Sequence, residues 1–133
     1  MLPPSRNTQA RPAPPLSAAR RAGPLLFLSG QLPRDAAGAI ERGSIERQTD
    51  RVVDNIEAVL ATHGLALANV VKTTIWLTDI AHLGAFNRRY AARFAEPYPA
   101  RSTVISALVA PADIEMEAVA AFPEAPSGRD GTW

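Results

Sequence analysis

The chain has 133 residues, the usual size of one domain, and 47% of them are apolar, enough for a packed core. Net charge is +1 and cysteine is absent. This excludes disulfides, thiolate metal sites and thiol nucleophiles, and gives no sign of a field that would draw nucleic acid. Charged residues make up only 20%, which in a small domain points to faces buried between subunits. No apolar run approaches the ~20 residues that span a bilayer. Arg6, Arg11, Arg20 and Arg21 precede the first acidic residue, Asp35, but Pro3, Pro4, Pro12, Pro14 and Pro15 oppose an amphipathic targeting helix. A cytoplasmic protein is expected.

Residues 1–15 are Pro-rich and read as an extended or mobile arm. Ser17 to Arg21 can start a strand, and Arg21-Ala22-Gly23-Pro24 is a turn signal. Leu25-Leu26-Phe27-Leu28 reads as a buried strand ending at Ser29-Gly30-Gln31. Gly30 there marks either an ordinary bulge or a point where the backbone approaches a ligand. Asp35 to Gly43 reads as a loop or short hairpin. Ser44 is the expected N-cap of a first helix with Ile45, Val52, Val53, Ile56, Val59 and Leu60 on one stripe, closing at His63-Gly64. His63 in its last turn suits the helix dipole rather than catalysis.

Val70 to Leu77 is rich in β-branched residues and predicts a strand. Thr78-Asp79 is expected to cap a second helix, with exposed His82 in its first turn. Leu83, Phe86, Tyr90 and Phe94, spaced three, four and four, form its buried face. Arg88 and Arg89 read as its solvated side, and Pro97 and Pro99 end it. Ser102 to Leu108 and Ile114 to Phe122 predict two more strands around a turn at Val109 to Asp113. The tail, residues 123–133, is polar with Pro and Gly and reads as mobile. The order predicts an α/β (α+β) fold, a mixed sheet of about five or six strands with two helices on one face.

Alternate strand residues share a face. In the last strand Ile114, Met116, Ala118 and Ala120 should meet the helices, which puts Glu115 and Glu117 on the side away from them. Arg101 and Thr103 share one face of the preceding strand and are expected on that same side. Carboxylates in an otherwise apolar strand are costly unless paired, so an ion pair between Arg101 and a glutamate, or simple solvation, is the plain explanation. The sharper one is a site: Arg101 gripping a planar carboxylate, a glutamate positioning a water or moving a proton, and Gly30 offering backbone groups. Phosphate-binding loops and the Gly-x-Ser-x-Gly elbow are absent, and a Ser-His-Asp triad would need His63 or His82.

Several motifs occur in order: Leu28-Ser29-Gly30-Gln31-Leu32-Pro33, Gln48, Asp54-Asn55-Ile56, Val70-Val71-Lys72-Thr73-Thr74-Ile75-Trp76-Leu77-Thr78-Asp79, Phe86-Asn87 with Tyr90, Pro99-Ala100-Arg101-Ser102-Thr103-Val104, and Ile114-Glu115-Met116-Glu117-Ala118. Across roughly Pro15 to Phe122 the chain resembles the RidA/YjgF family of enamine/imine deaminases, which sets a domain at residues 16–122 between arm and tail. The resemblance implies a chorismate-mutase-like homotrimer with sites between subunits. It implies hydrolysis of 2-aminoacrylate-type enamines and 2-imino acids to 2-keto acids and ammonia, with no metal or organic cofactor. By position, Arg101 matches the arginine that binds the substrate carboxylate and Glu115 the glutamate that holds or activates water. Ser29 and Gly30 match the loop lining the pocket, Asn87 a pocket residue on the second helix, and Thr103 a position often Cys, Ser or Thr. Where the family usually reads Gly-Pro-Tyr-Ser-Gln, this chain has Pro14-Pro15-Leu16-Ser17-Ala18, so Leu16 stands in place of a tyrosine. An apolar side chain there cannot donate a hydrogen bond. It implies either a pocket for bulkier, more apolar substrates or a weakened deaminase.

Three alternatives to a general deaminase stand beside it. One is a non-catalytic module that binds small carboxylates or regulates. Another is a pathway-specific deaminase with a different substrate. Ribonuclease activity is disfavoured by the near-neutral charge and the lack of a basic aromatic face. The expected partners are a small carboxylate substrate and other copies of the chain, with neither nucleic acid nor membrane.

Overall fold

The computed structural model describes residues 13–124; most of the Pro-rich arm and of the tail lies outside them. Strands β1 (Ala19–Ala22) and β2 (Leu25–Gln31) form an antiparallel hairpin. Gly23 closes it at φ +60°, a backbone state that suits glycine. Helix α1 (Ile45–Ala61) begins where Ser44 Oγ accepts a hydrogen bond from the Arg47 amide at 3.2 Å, and Gly64 at φ +73° turns the chain past its end. Then come β3 (Val70–Leu77), α2 (Leu83–Arg93), β4 (Ala100–Ile105) and β5 (Ile114–Ala121).

The sheet has five strands in the order β1-β2-β5-β3-β4. Only β3 and β4 are parallel, because α2 carries the chain across between them. Both helices lie on one face. Beneath them Leu26, Ile75, Leu77, Ile114 and Met116 meet Val52, Val53, Ile56, Leu60 and Phe86, all fully buried. The stripes read from α1, α2 and β5 are thus the core faces found.

Four local expectations differ. The last predicted turn before β5 is longer, since β4 stops at Ile105 rather than Leu108; only the Ser106 amide continues the ladder, donating to Leu77 O at 2.9 Å. Asp79 caps a 3₁₀ turn, Ile80–His82, and α2 itself starts at Leu83. His82 is half-buried, with Nε2 3.8 Å from the Asp113 carboxylate. Arg88 and Arg89 are not merely solvated: they reach α1, at 3.6 Å from Glu46 and 3.1 Å from Asp50. Arg93 joins them, its guanidinium contacting Asp50, Asp54 and Glu57. No helix among the described residues is long and apolar enough to cross a membrane.

Candidate functional site

The open face of the sheet, opposite the helices, carries Glu115 and Glu117, as the β5 alternation requires. Glu115 is half-buried and sits against Gly30: a Cβ on Gly30 would collide with Glu115 Oε2 and stand 3.1 Å from its Cδ. The pairing of β2 with β5 shifts between Leu28 and Gln31, so the bulge read at Ser29-Gly30 is real, and it lets the backbone approach the carboxyl group. Burial, and secondarily the like charge of Glu117, hold the Glu115 carboxyl above its ordinary pKa. Ser29 Oγ donates to Ser17 O at 2.6 Å and the Ser29 amide to Ala18 O at 2.9 Å, which fastens the segment before β1 alongside. Leu16 thereby joins Ser29, Gly30, Leu32, Val109 and Glu115 around a cleft of about 420 Å³.

Arg101 is elsewhere. In the parallel β3–β4 register it pairs with Thr73, which is fully buried beneath the helices. Paired residues share a face, so Arg101 and Thr103 project to the helix side, opposite to the side expected from sequence. The reason is that β4 is an edge strand with polar residues on both faces; its own alternation does not reveal which side is covered. The expected ion pair between Arg101 and a β5 glutamate is thereby excluded within one chain.

What Arg101 touches instead is aromatic. Its guanidinium carbon lies 5.2 Å from the Phe86 ring centre and 5.0 Å from that of Tyr90. Tyr90 is fixed by stacking on Phe94 at 4.4 Å and by a 2.8 Å hydrogen bond between its hydroxyl and Thr73 Oγ1. Burial raises the Tyr90 pKa, against the opposing effects of the Thr73 bond and the Arg101 charge, so the ring is neutral near pH 7. Asn87, Tyr90, Tyr98, Pro99 and Arg101 line a second cleft of about 320 Å³. Among the described residues no acidic group forms a salt bridge with Arg101. Thr103, two residues along, has a buried Oγ1 with no hydrogen-bond partner among the described residues.

The predicted residues therefore fall into two groups, Leu16, Ser29, Gly30 and Glu115 in one cleft and Asn87 and Arg101 in the other, with Thr103 beside Arg101 on its strand. Phe86 and Tyr90 were legible only as a core stripe; a guanidinium-bearing edge strand packed over that stripe is a tertiary fact. Glu117 likewise gains its influence on Glu115 from strand alternation.

A mixed five-stranded sheet with two helices on one face and a cleft at each side of the sheet is the architecture to be matched. A family model described as Endoribonuclease L-PSP matches residues 7–122, and the chain belongs to that family, also called YjgF/RidA. A RutC family protein of Pyrococcus abyssi is 41% identical over 112 residues, 83% of this chain and 88% of its own. Reactive Intermediate Deaminase A, chloroplastic, of Arabidopsis thaliana is 41% identical over 118 residues, 86% of this chain and 63% of its own. Among solved structures, RidA from an Antarctic Psychrobacter superposes with TM-score 0.78 at 31% identity, covering 84% of this chain and 92% of that one. A putative endoribonuclease of Thermotoga maritima gives 0.80 at 37% identity, with 84% and 89% covered.

Proposed function

We propose that the protein hydrolyses 2-imino acids, and the 2-aminoacrylate-type enamines that tautomerise to them, to 2-keto acids and ammonia. The observation that carries this is Arg101: an arginine seated on two aromatic rings, beside an open cleft, with no acidic partner among the described residues. Such a guanidinium keeps its hydrogen-bonding edge for a planar anion, which it can hold through two parallel bonds. The name of the Arabidopsis relative, Reactive Intermediate Deaminase A, agrees with this reading.

The chemistry needs both clefts. Arg101 binds the carboxylate, and its charge draws electrons from the adjacent imine carbon. Glu115, ionised, takes a proton from water as the water oxygen bonds to that carbon, and passes the proton to the imine nitrogen. The product is a carbinolamine. Its hydroxyl proton then moves by way of Glu115 to the amino group, the C–N bond breaks, and ammonia leaves behind a ketone. Asn87 lines the carboxylate end, with Thr103 behind it next to Arg101 on the same strand, and Ser29 and Gly30 line the water end.

Since the two groups lie on opposite sides of the sheet in one chain, the site is completed between copies: Arg101 of one subunit with Glu115 of the next, in a homotrimer. The bare sheet face supports this, with Phe27 and Val104 exposed on it. The test is keto-acid release from imino acids generated by an amino-acid oxidase. Wild type should exceed the buffer rate, and Arg101→Ala should lose at least about 100-fold. Full activity in that variant would refute the assignment. Binding of 2-ketobutyrate without acceleration would favour a non-catalytic module.

A further inference from the structure

We infer that Trp76 is a positioning residue for Glu115: its indole fills the flank of the carboxyl group opposite Gly30 and holds that group over the Gly30 backbone. The part this plays in hydrolysis rests on the deaminase reading above; the placement itself rests on the sheet.

The strand register fixes the neighbours. β5 lies between β2 and β3, so Glu115 has one strand on each side. On the β3 side its partner in the antiparallel ladder is Trp76. Ile75 and Leu77 are fully buried beneath the helices, so Trp76 between them projects to the open face, as Glu115 does. On the β2 side stands Gly30. A Cβ there would lie 3.1 Å from Glu115 Cδ and 3.3 Å from its Cγ, so the acid already leans over this residue. Glu115 thus has the largest side chain on one flank and none on the other. Half-buried Trp76 shares a cleft of about 250 Å³ with Gly30, Glu115 and Glu117. The cleft of about 420 Å³ opens on the Gly30 side.

A glutamate side chain has several rotatable bonds and can turn to either flank. An indole on one flank leaves the other as the space open to it, and takes water from the side it covers. Burial is the larger cause of the raised pKa of Glu115. A carboxylate held in one place and short of water is a stronger and better aimed base. The charged groups around it are Glu117, two residues along β5, Arg34 in the larger cleft, with Nη1 donating to Gly38 O at 3.0 Å, and Lys72 further along β3, with Nζ 3.4 Å from Ser102 Oγ. None of them stands opposite Glu115 in the ladder.

The first experiment needs no turnover. Trp76 and Trp133 are the tryptophans of the chain, so the Trp133→Phe protein reports on Trp76 alone. A protonated carboxyl group quenches an adjacent indole more than a carboxylate does. Emission should therefore fall as pH drops, in a step centred above the ordinary carboxylate range. Glu115→Gln should abolish the step, and Glu117→Gln should keep it but move it to lower pH. No step, or a step that Glu115→Gln leaves unchanged, would overturn the inference.

Kinetics on imines made by an amino-acid oxidase read the consequence. Trp76→Phe should keep kcat near wild type. Trp76→Ala should lower kcat at least about tenfold with KM little changed, and should move the acid limb of kcat/KM to lower pH as water reaches the carboxyl group. An unmoved limb with full kcat in that variant would also overturn the inference. If Trp76→Ala does not fold or assemble, the emission step decides alone. A wild-type protein that shows the step and hydrolyses no imine would refute the deaminase reading and still support the placement of Glu115 by Trp76.

Discussion

Arg101 and Glu115 project from opposite faces of one sheet, Arg101 from edge strand β4 onto Phe86 and Tyr90 and Glu115 from inner strand β5 against Gly30. Each is held by a different device, an aromatic seat for the cation and a side-chain-free backbone for the acid, and each device can be removed by one substitution.

Gly30→Ala tests the seat of the acid. A methyl group there meets the end of the Glu115 side chain, which can swing away at small cost in stability. The displaced carboxyl group should lower kcat on the order of 100-fold while the melting temperature stays near wild type. Steady-state kinetics beside a thermal melt checks this; unchanged kcat would mean that the position of Glu115 does not matter.

In the proposed reaction Tyr90 positions Arg101, and two variants separate its ring from its hydroxyl. Tyr90→Phe keeps the ring and breaks the bond to Thr73, which should cost about 1 kcal/mol of stability with KM unchanged. Tyr90→Leu removes the ring beneath the guanidinium and should raise KM about fivefold, the equivalent of about 1 kcal/mol, with a smaller change in kcat. A purely structural role would make the two variants alike in KM.

A carboxyl group can act as a base only when ionised, and burial together with the Glu117 charge raises the pKa of Glu115. The acid limb of the pH profile of kcat/KM should therefore lie above the ordinary carboxylate range. Glu117→Gln should move the limb to lower pH, leaving the part due to burial. Linkage gives a stability corollary. The folded chain binds this proton more tightly than the unfolded chain, so ionised Glu115 disfavours folding at neutral pH, and the penalty fades as pH falls through the raised pKa. Glu115→Gln should melt higher than wild type near neutrality, and the gap should close as pH drops below the ordinary carboxylate range.

Arg93 supplies a control that lines neither cleft. It ties α2 to α1 through Asp50, Asp54 and Glu57, with its own side chain 19% exposed and the carboxylates more so. Arg93→Ala should cost about 1 kcal/mol in a denaturant titration, less at high salt, with kcat retained. A loss of kcat at unchanged stability would point to a link between this network and the site.

Much of this arrangement was visible in the residues. The stripes of α1 and α2, the β-branched run of β3 and the strict alternation of β5 each carry their burial pattern in one segment, so the core could be read locally. Arg101 and Glu115 could be named from the motifs around them. The side taken by Arg101 could not, because Ala-Arg-Ser-Thr-Val-Ile has no apolar alternation and its face is fixed by pairing Arg101 with buried Thr73 across a helical crossover.

In the proposed reaction one site needs residues from two copies of the chain. Co-expressing Arg101→Ala and Glu115→Gln chains on two affinity tags and isolating the mixed oligomer tests it directly. If each site pairs Arg101 of one subunit with Glu115 of the next, each mutant alone should be inactive, and the isolated mixed trimer should recover about a third of the wild-type imine hydrolysis, since one of its three interfaces joins an intact residue from each. A mixed oligomer no more active than its two parents would refute a site shared between subunits.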